Sequence, residues 1–222
     1  MVLNGIDRIE EYDELFRGKR LGLITSPTGL NASGRASIDV LHERYGLTAL
    51  FSPEHGVRGD AAAGALVGDA LDPSTGVPVY SLYRKESKRL TEEMLARVDA
   101  VVYDIQDVGA RYYTFLYTML YAVEDCAKAG KAVIVLDRAN PLGGETVEGN
   151  LLREKYRSFV GGYPLCMRYG LTAGELSLMA NRREKWDCDL HVVPCKGWER
   201  RMQFPEYGLS LIHISEPTRP ER

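Results

Sequence analysis

Runs of consecutive apolar residues alternate along this chain with stretches whose apolar positions recur at helical spacing. The runs at 20–26 ("RLGLITS"), 47–53 ("LTALFSP"), 77–83 ("VPVYSLY"), 99–107 ("DAVVYDIQD"), 131–140 ("KAVIVLDRAN") and 189–198 ("DLHVVPCKGW") predict strands. Pro78 cannot donate to a ladder, so 77–83 is expected at a sheet edge. The run at 99–107 is nearly unbroken, as in a parallel sheet covered on both faces. Between the strands, 34–46 predicts a helix with Ile38, Leu41 and Tyr45 on one face. Residues 91–98 predict a short helix capped by Thr91. In 113–130, Phe115, Met119, Val123 and Cys126 share a face and Gly130 supplies a stop. Residues 171–183 predict a helix with Thr172 at its N-cap. No internal repeat is visible. The alternation implies an α/β fold: a Rossmann-like, doubly wound, mostly parallel sheet with helices on both faces.

Such sheets bind ligands beyond the carboxyl ends of their strands, and that is where this chain gathers its chemistry. "TSPTG" (25–29), "PEHGVRG" (53–59), "QDVGARYYT" (106–114) and "RANPLGG" (138–144), followed by "VEG" (147–149), each leave a predicted strand. Glu54 and His55 are read either as an ordinary turn or as a general acid with an imidazole to position it. Asp104, Asp107 and Asp137 stand at the ends of buried strands, where a carboxylate needs a partner. Ion pairs with Arg111 or Arg138, contact with substrate or catalysis, and a magnesium site are the three readings. Glu148 is either a second catalytic carboxylate or a loop acid, and Glu175 suits the first turn of its helix. Arg58, Arg111, Arg138 and Arg168 are able to grip an anion bidentately. Tyr112, Tyr113 and Tyr163 either stack on a sugar ring or pack the core.

Composition narrows the function classes. With 222 residues, 45% of them hydrophobic, the chain can bury a sizeable core. A net charge of −3 leaves no basic excess for phosphates, which argues against nucleic acid. No apolar run reaches the roughly 18 residues of a membrane span. The N-terminus lacks a signal peptide, so a cytoplasmic location is expected, with an exported parent if translation starts upstream. Cys126, Cys166, Cys188 and Cys195 form no C-x-x-C and read as separate thiols, not as a zinc site. G-x-G-x-x-G, G-x-x-x-x-G-K-[ST] and G-x-S-x-G are all missing, which disfavours dinucleotide binding, a P-loop and a serine hydrolase. No cofactor is called for.

Seven segments in order carry a resemblance: "GLITSPTG", "FSPEHGVRG", "TGVPVYSLY", "VVYDIQDVGARYYT", "VLDRANPLGG..VEG", "SFVGGYPLCMRYGLTAGEL" and "LHVVPCKGW". Together, over about residues 18 to 208, they resemble the DUF1343 family, associated with exo-β-N-acetylmuramidases of the NamZ type. The resemblance implies removal of a terminal N-acetylmuramic acid from the non-reducing end of peptidoglycan fragments. It also implies a Rossmann-like domain followed by a smaller C-terminal domain, with the cleft between them. Glu54, the acid of the P-E-H-G motif, inherits the catalytic role. His55, Asp104, Asp107 and Glu148 are the other catalytic candidates. Thr28, Arg58, Arg111, Tyr113, Arg138, Asn140 and Tyr169 are the candidates for binding substrate, and the lactyl carboxylate demands at least one arginine. The expected partner is a small muropeptide or disaccharide. "TSPTG" and Tyr169 depart from the family, which more often has Asn-Gln-Thr-Gly or Asn-His-Thr-Gly and a histidine there. Residues 1–209 are thus expected to be the Rossmann-like domain, with the family's C-terminal domain missing in cis. Residues 210–222, "SLIHISEPTRPER", resemble a translated sequencing-adapter fragment. A non-catalytic sugar-binding module and a nucleotide-dependent enzyme are the competing readings.

Overall fold

The computed structural model describes residues 2–59 and 70–204. Most of the Gly/Ala-rich loop after the second predicted strand, and the 210–222 tail, lie outside the described residues. Seven strands form one sheet: β1 (Leu21–Thr25), β2 (Leu47–Ser52), β3 (Ala70–Leu71), β4 (Pro78–Ser81), β5 (Ala100–Asp104), β6 (Ala132–Leu136) and β7 (Leu190–Val193). Their order is β3-β4-β2-β1-β5-β6-β7, and every pairing is parallel except β3 with β4. The α/β, doubly wound expectation therefore holds. One detail differs. The 77–83 strand is not the edge, because the chain adds β3 outside it, with Leu71 opposite Pro78.

β1, β5 and nearly all of β2 and β6 are buried, which explains their unbroken apolar runs. Helices α2 (Glu92–Ala96), α3 (Phe115–Ala129) and α4 (Ala173–Glu184) cover one face, closing a core around Phe51, Tyr103, Met119 and Leu176. Helix α1 (Ser37–Tyr45) and a 3₁₀ segment, Gly5–Leu15, cover the other, closing a core around Phe16, Leu23, Leu41 and Ile134. Hydrophobic periodicity did not predict the 3₁₀ segment, which is kinked at Tyr12. It seats against the sheet at Gly5, where a Cβ would come within 2.6 Å of Asp137 N and Val193 O.

The caps behave as their residue types require. The Thr91 hydroxyl accepts from Met94 N, and Thr172 and Glu175 form a reciprocal capping box on α4. Gly130 ends α3 in the left-handed conformation. Chain order reverses between β1 and β5. The loops after these two strands meet at that switch point, where Gln106 N donates to Thr28 Oγ1 at 3.1 Å.

Candidate functional site

The candidate residues sit on the loops that leave the carboxyl edge of the sheet after β1, β2, β5 and β6. After β2, Glu54 and His55 form a tight turn in which His55 takes φ +73°, an uncommon conformation for a side-chain-bearing residue. The Glu54 and His55 side chains are each about one-fifth exposed, and His55 Nε2 lies 4.0 Å from Glu54 Oε1. Thr114, which begins α3, offers its hydroxyl to Glu54 Oε2 at 3.5 Å. Phe115 stands edge-on to both the His55 and Tyr113 rings. Glu54, His55, Tyr113 and Thr114 are therefore one cluster, built where β2 and β5 end. Its carboxyl has an imidazole and a hydroxyl beside it and remains open to solvent, so it can exchange a proton with a bound molecule.

After β5, Asp107 is buried. Its Oδ2 accepts from Gly109 N at 3.0 Å and from the Tyr169 hydroxyl. Its Oδ1 meets no hydrogen-bond partner among the described residues. Burial pushes this carboxyl up to about 7, and the nearby Asp137 adds to the effect. Gly109 must be glycine: φ is +75°, and a Cβ would sit 2.2 Å from Asn140 Oδ1. Asn140 ties the 138–144 loop to Leu171 O at 2.8 Å and accepts from Leu142 N.

Asp104 and Arg138 form a buried bidentate pair, Nε to Oδ1 at 2.7 Å and Nη2 to Oδ2 at 2.9 Å. Arg138 also donates to Leu30 O, closing the β1 loop over the sheet. Asp137 accepts from Thr172 Oγ1, Gly174 N and Arg138 N, anchoring the start of α4; burial raises it to about 6. Thr28 is buried against Ser26, Oγ to Oγ1 at 2.7 Å.

The remaining candidates are placed otherwise. Arg58 turns toward Asp72 and Asp39, with contacts of 2.6 and 2.8 Å, and holds Asp72 down at about 2. Glu148 is exposed and paired with Arg168 at 3.0 Å, within a short antiparallel bridge. Arg111 Nη1 donates to Asn150 O and Leu165 O. Tyr163 hydrogen-bonds Glu184. Among the described residues, no three His, Cys, Asp or Glu side chains cluster as metal ligands. No helix there is long and apolar enough to cross a membrane. Sequence reasoning passed over Thr114, Gln106 and Asp72. Thr114 falls inside the predicted 113–130 helix, and no spacing rule carries its hydroxyl to a loop 60 residues earlier.

The profile of a family described as "Exo-beta-N-acetylmuramidase NamZ, N-terminal" matches residues 21–220. The chain belongs to this NamZ N-terminal family. A curated relative, the peptidoglycan beta-N-acetylmuramidase NamZ of Bacillus subtilis (strain 168), is 49% identical over 222 residues. That alignment covers 99% of this chain and 53% of the relative. Two crystal structures of DUF1343 family proteins from Bacteroides fragilis NCTC 9343 share the fold. One has a TM-score of 0.86 at 46% identity, covering 94% of this chain and 53% of the other. The second has a TM-score of 0.79 at 34% identity, covering 92% and 54%. The chain thus spans about half the length of the relatives it matches.

Proposed function

We propose that this chain is the acid-bearing N-terminal part of an exo-β-N-acetylmuramidase. The enzyme would release N-acetylmuramic acid from the non-reducing end of peptidoglycan fragments, in cell-wall turnover. The observation carrying this reading is the Glu54 cluster. A carboxyl with a hydroxyl and an imidazole beside it stands at the carboxyl edge of the sheet, in a chain 49% identical to a peptidoglycan β-N-acetylmuramidase. In the reading, Glu54 gives its proton to the glycosidic oxygen as the C1–O bond breaks, and water supplies the hydroxyl that ends on C1.

His55 and Thr114 aim the carboxyl. Asp104 and Glu148 are each engaged by an arginine, which suits them to structural ion pairs while Glu54 carries the proton. Asp107 is shut away from solvent, which suits a supporting role. Thr28, Asn140 and Tyr169 hold the neighbouring loops together, and Tyr113 offers an aromatic edge to a sugar.

The test joins this chain to the C-terminal half of the Bacillus subtilis relative and assays a chromogenic N-acetylmuramide. Glu54→Gln is expected to lower kcat by about 10²–10⁴-fold, the usual worth of a general acid. Equal turnover by both forms would remove Glu54 from the chemistry. Binding without turnover by the parent form would point to a sugar-binding module.

A further inference from the structure

The connection from β6 to α4, residues 137–172, holds one short 3₁₀ turn, Glu154–Tyr156, and otherwise runs as a strap. Its stem is fastened by hydrogen bonds. Arg111 N donates to Met167 O at 3.0 Å, Arg111 Nη1 donates to Asn150 O and Leu165 O, and Glu148 pairs with Arg168 in an antiparallel bridge. The far end is a tight hairpin. Ser158 and Gly161 exchange two backbone hydrogen bonds of 3.1 Å, which leaves Phe159 and Val160 at the tip. Phe159 reaches the loop after β4: its ring centroid lies 6.1 Å from that of Tyr83, and Lys88 Nζ stands 3.4 Å from the Tyr83 centroid. β6 and β4 are four strands apart, about 19 Å at the usual spacing, so the strap runs from one side of the sheet to the other.

Both places that the strap touches flank the Glu54 turn. On one flank, β4 is the parallel neighbour of β2, with Ser81 opposite Ser52 and Leu82 N donating to Ser52 O at 2.8 Å. Glu54 and Tyr83 each stand two residues beyond that pair. On the other flank is the start of α3, where Thr114 offers its hydroxyl to Glu54 at 3.5 Å. The strap lies against this helix one turn on: a Cβ at Gly162 would come 3.1 Å from the Tyr117 ring, and the Tyr117 hydroxyl donates to Arg111 O. The strap therefore joins the two elements between which Glu54 is held. Its stem is pinned by backbone groups, whereas its tip reaches the β4 loop through two rings and an ammonium.

We propose that this strap, latched by Phe159 on Tyr83, walls off one end of the Glu54 site and so restricts it to the terminal sugar of a glycan. Cutting inside a glycan requires the chain to leave the site on both sides of the bond that breaks. A site closed at one end accepts only a terminal residue, because one further sugar clashes with the wall. The inference rests on the glycosidase reading above and assigns its end-selectivity to Phe159 and Tyr83.

The test uses the fused protein described above, carrying Glu54→Gln so that bound sugar is not cut. Calorimetric titration compares two probes: N-acetylmuramyl-N-acetylglucosamine, and the trisaccharide made by capping its non-reducing end with another N-acetylglucosamine. With the latch intact, the capped probe should bind at least about tenfold more weakly than the disaccharide. Phe159→Ala and Tyr83→Ala each remove one ring of the latch. Either should bring the two affinities within about threefold of each other and speed backbone hydrogen exchange at residues 157–162. Tyr83→Phe keeps the ring and should behave as the latched form. Equal affinities with the latch intact, unchanged exchange in both alanine variants, or faster exchange with an unchanged affinity ratio overturns the proposal. Turnover of the chromogenic N-acetylmuramide by the Glu54 form, with that ratio unmoved, keeps the glycosidase and loses the strap. No affinity for either probe with the latch intact overturns both.

Discussion

Asp107 and Asp104 are three residues apart and both buried, yet their chemistry differs because of what faces them. Asp104 meets the Arg138 fork. Asp107 is buried without such a fork: burial, with a smaller push from the Asp137 carboxyl, outweighs the Gly109 N–H that it accepts and favours its neutral form. The folded value of about 7 lies above the unfolded 3.8. Between those limits the folded chain binds more protons than the unfolded one. This group therefore makes stability fall as pH rises from about 4 toward 7 and then level off. Urea unfolding of the parent chain and of Asp107→Asn at pH 5 and pH 8 measures this. The asparagine keeps the shape and cannot ionise, so it should be relatively more stable at pH 8 than at pH 5, compared with the parent. An unchanged difference between the two pH values would mean that Asp107 does not hold its proton.

At the scale of elements, α4 shows how a helix start and a strand end are fastened together. Thr172 caps the helix by accepting from Glu175 N, and the same hydroxyl donates to Asp137, just beyond β6. Gly174 N donates to the other oxygen of that carboxyl, and a Cβ on Gly174 would lie 2.8 Å from its carbon. Thr172→Ala removes the cap and leaves Asp137 one donor short. A loss of about 1–3 kcal/mol is expected in chemical denaturation, above the roughly 1 kcal/mol of a cap alone. Thr172→Ser, which keeps the hydroxyl, should recover most of it. A loss below about 0.5 kcal/mol would show that the Asp137 contact adds nothing.

At the scale of the molecule, the long connection between β6 and α4 stands out. Val147, Leu151, Tyr156, Val160 and Met167 are all exposed there, between 42% and 63%. The family relatives are about twice the length of the part that matches, and apolar surface of this kind favours association. Val160→Lys should reduce light scattering by the concentrated chain. It should leave stability within about 0.5 kcal/mol, as for surface changes that touch no buried group. Unchanged scattering would place the association elsewhere.

The sequence by itself determined the α/β class, the strands of the sheet's interior, four helices and three of their end signals at Thr91, Gly130 and Thr172. These are local properties: apolar periodicity and the hydrogen-bonding habits of single residue types. It also brought out the Glu54–His55 turn, because such a turn after a buried strand is visible in one dimension. Only the tertiary structure decided that Thr114 reaches Glu54, that Arg58 belongs to Asp72, and that Asp107 faces Tyr169 while Arg138 takes Asp104. Those partners lie 14 to 62 residues apart. Which charge a side chain meets across the sheet's edge depends on strand order and loop path, and no local pattern encodes that.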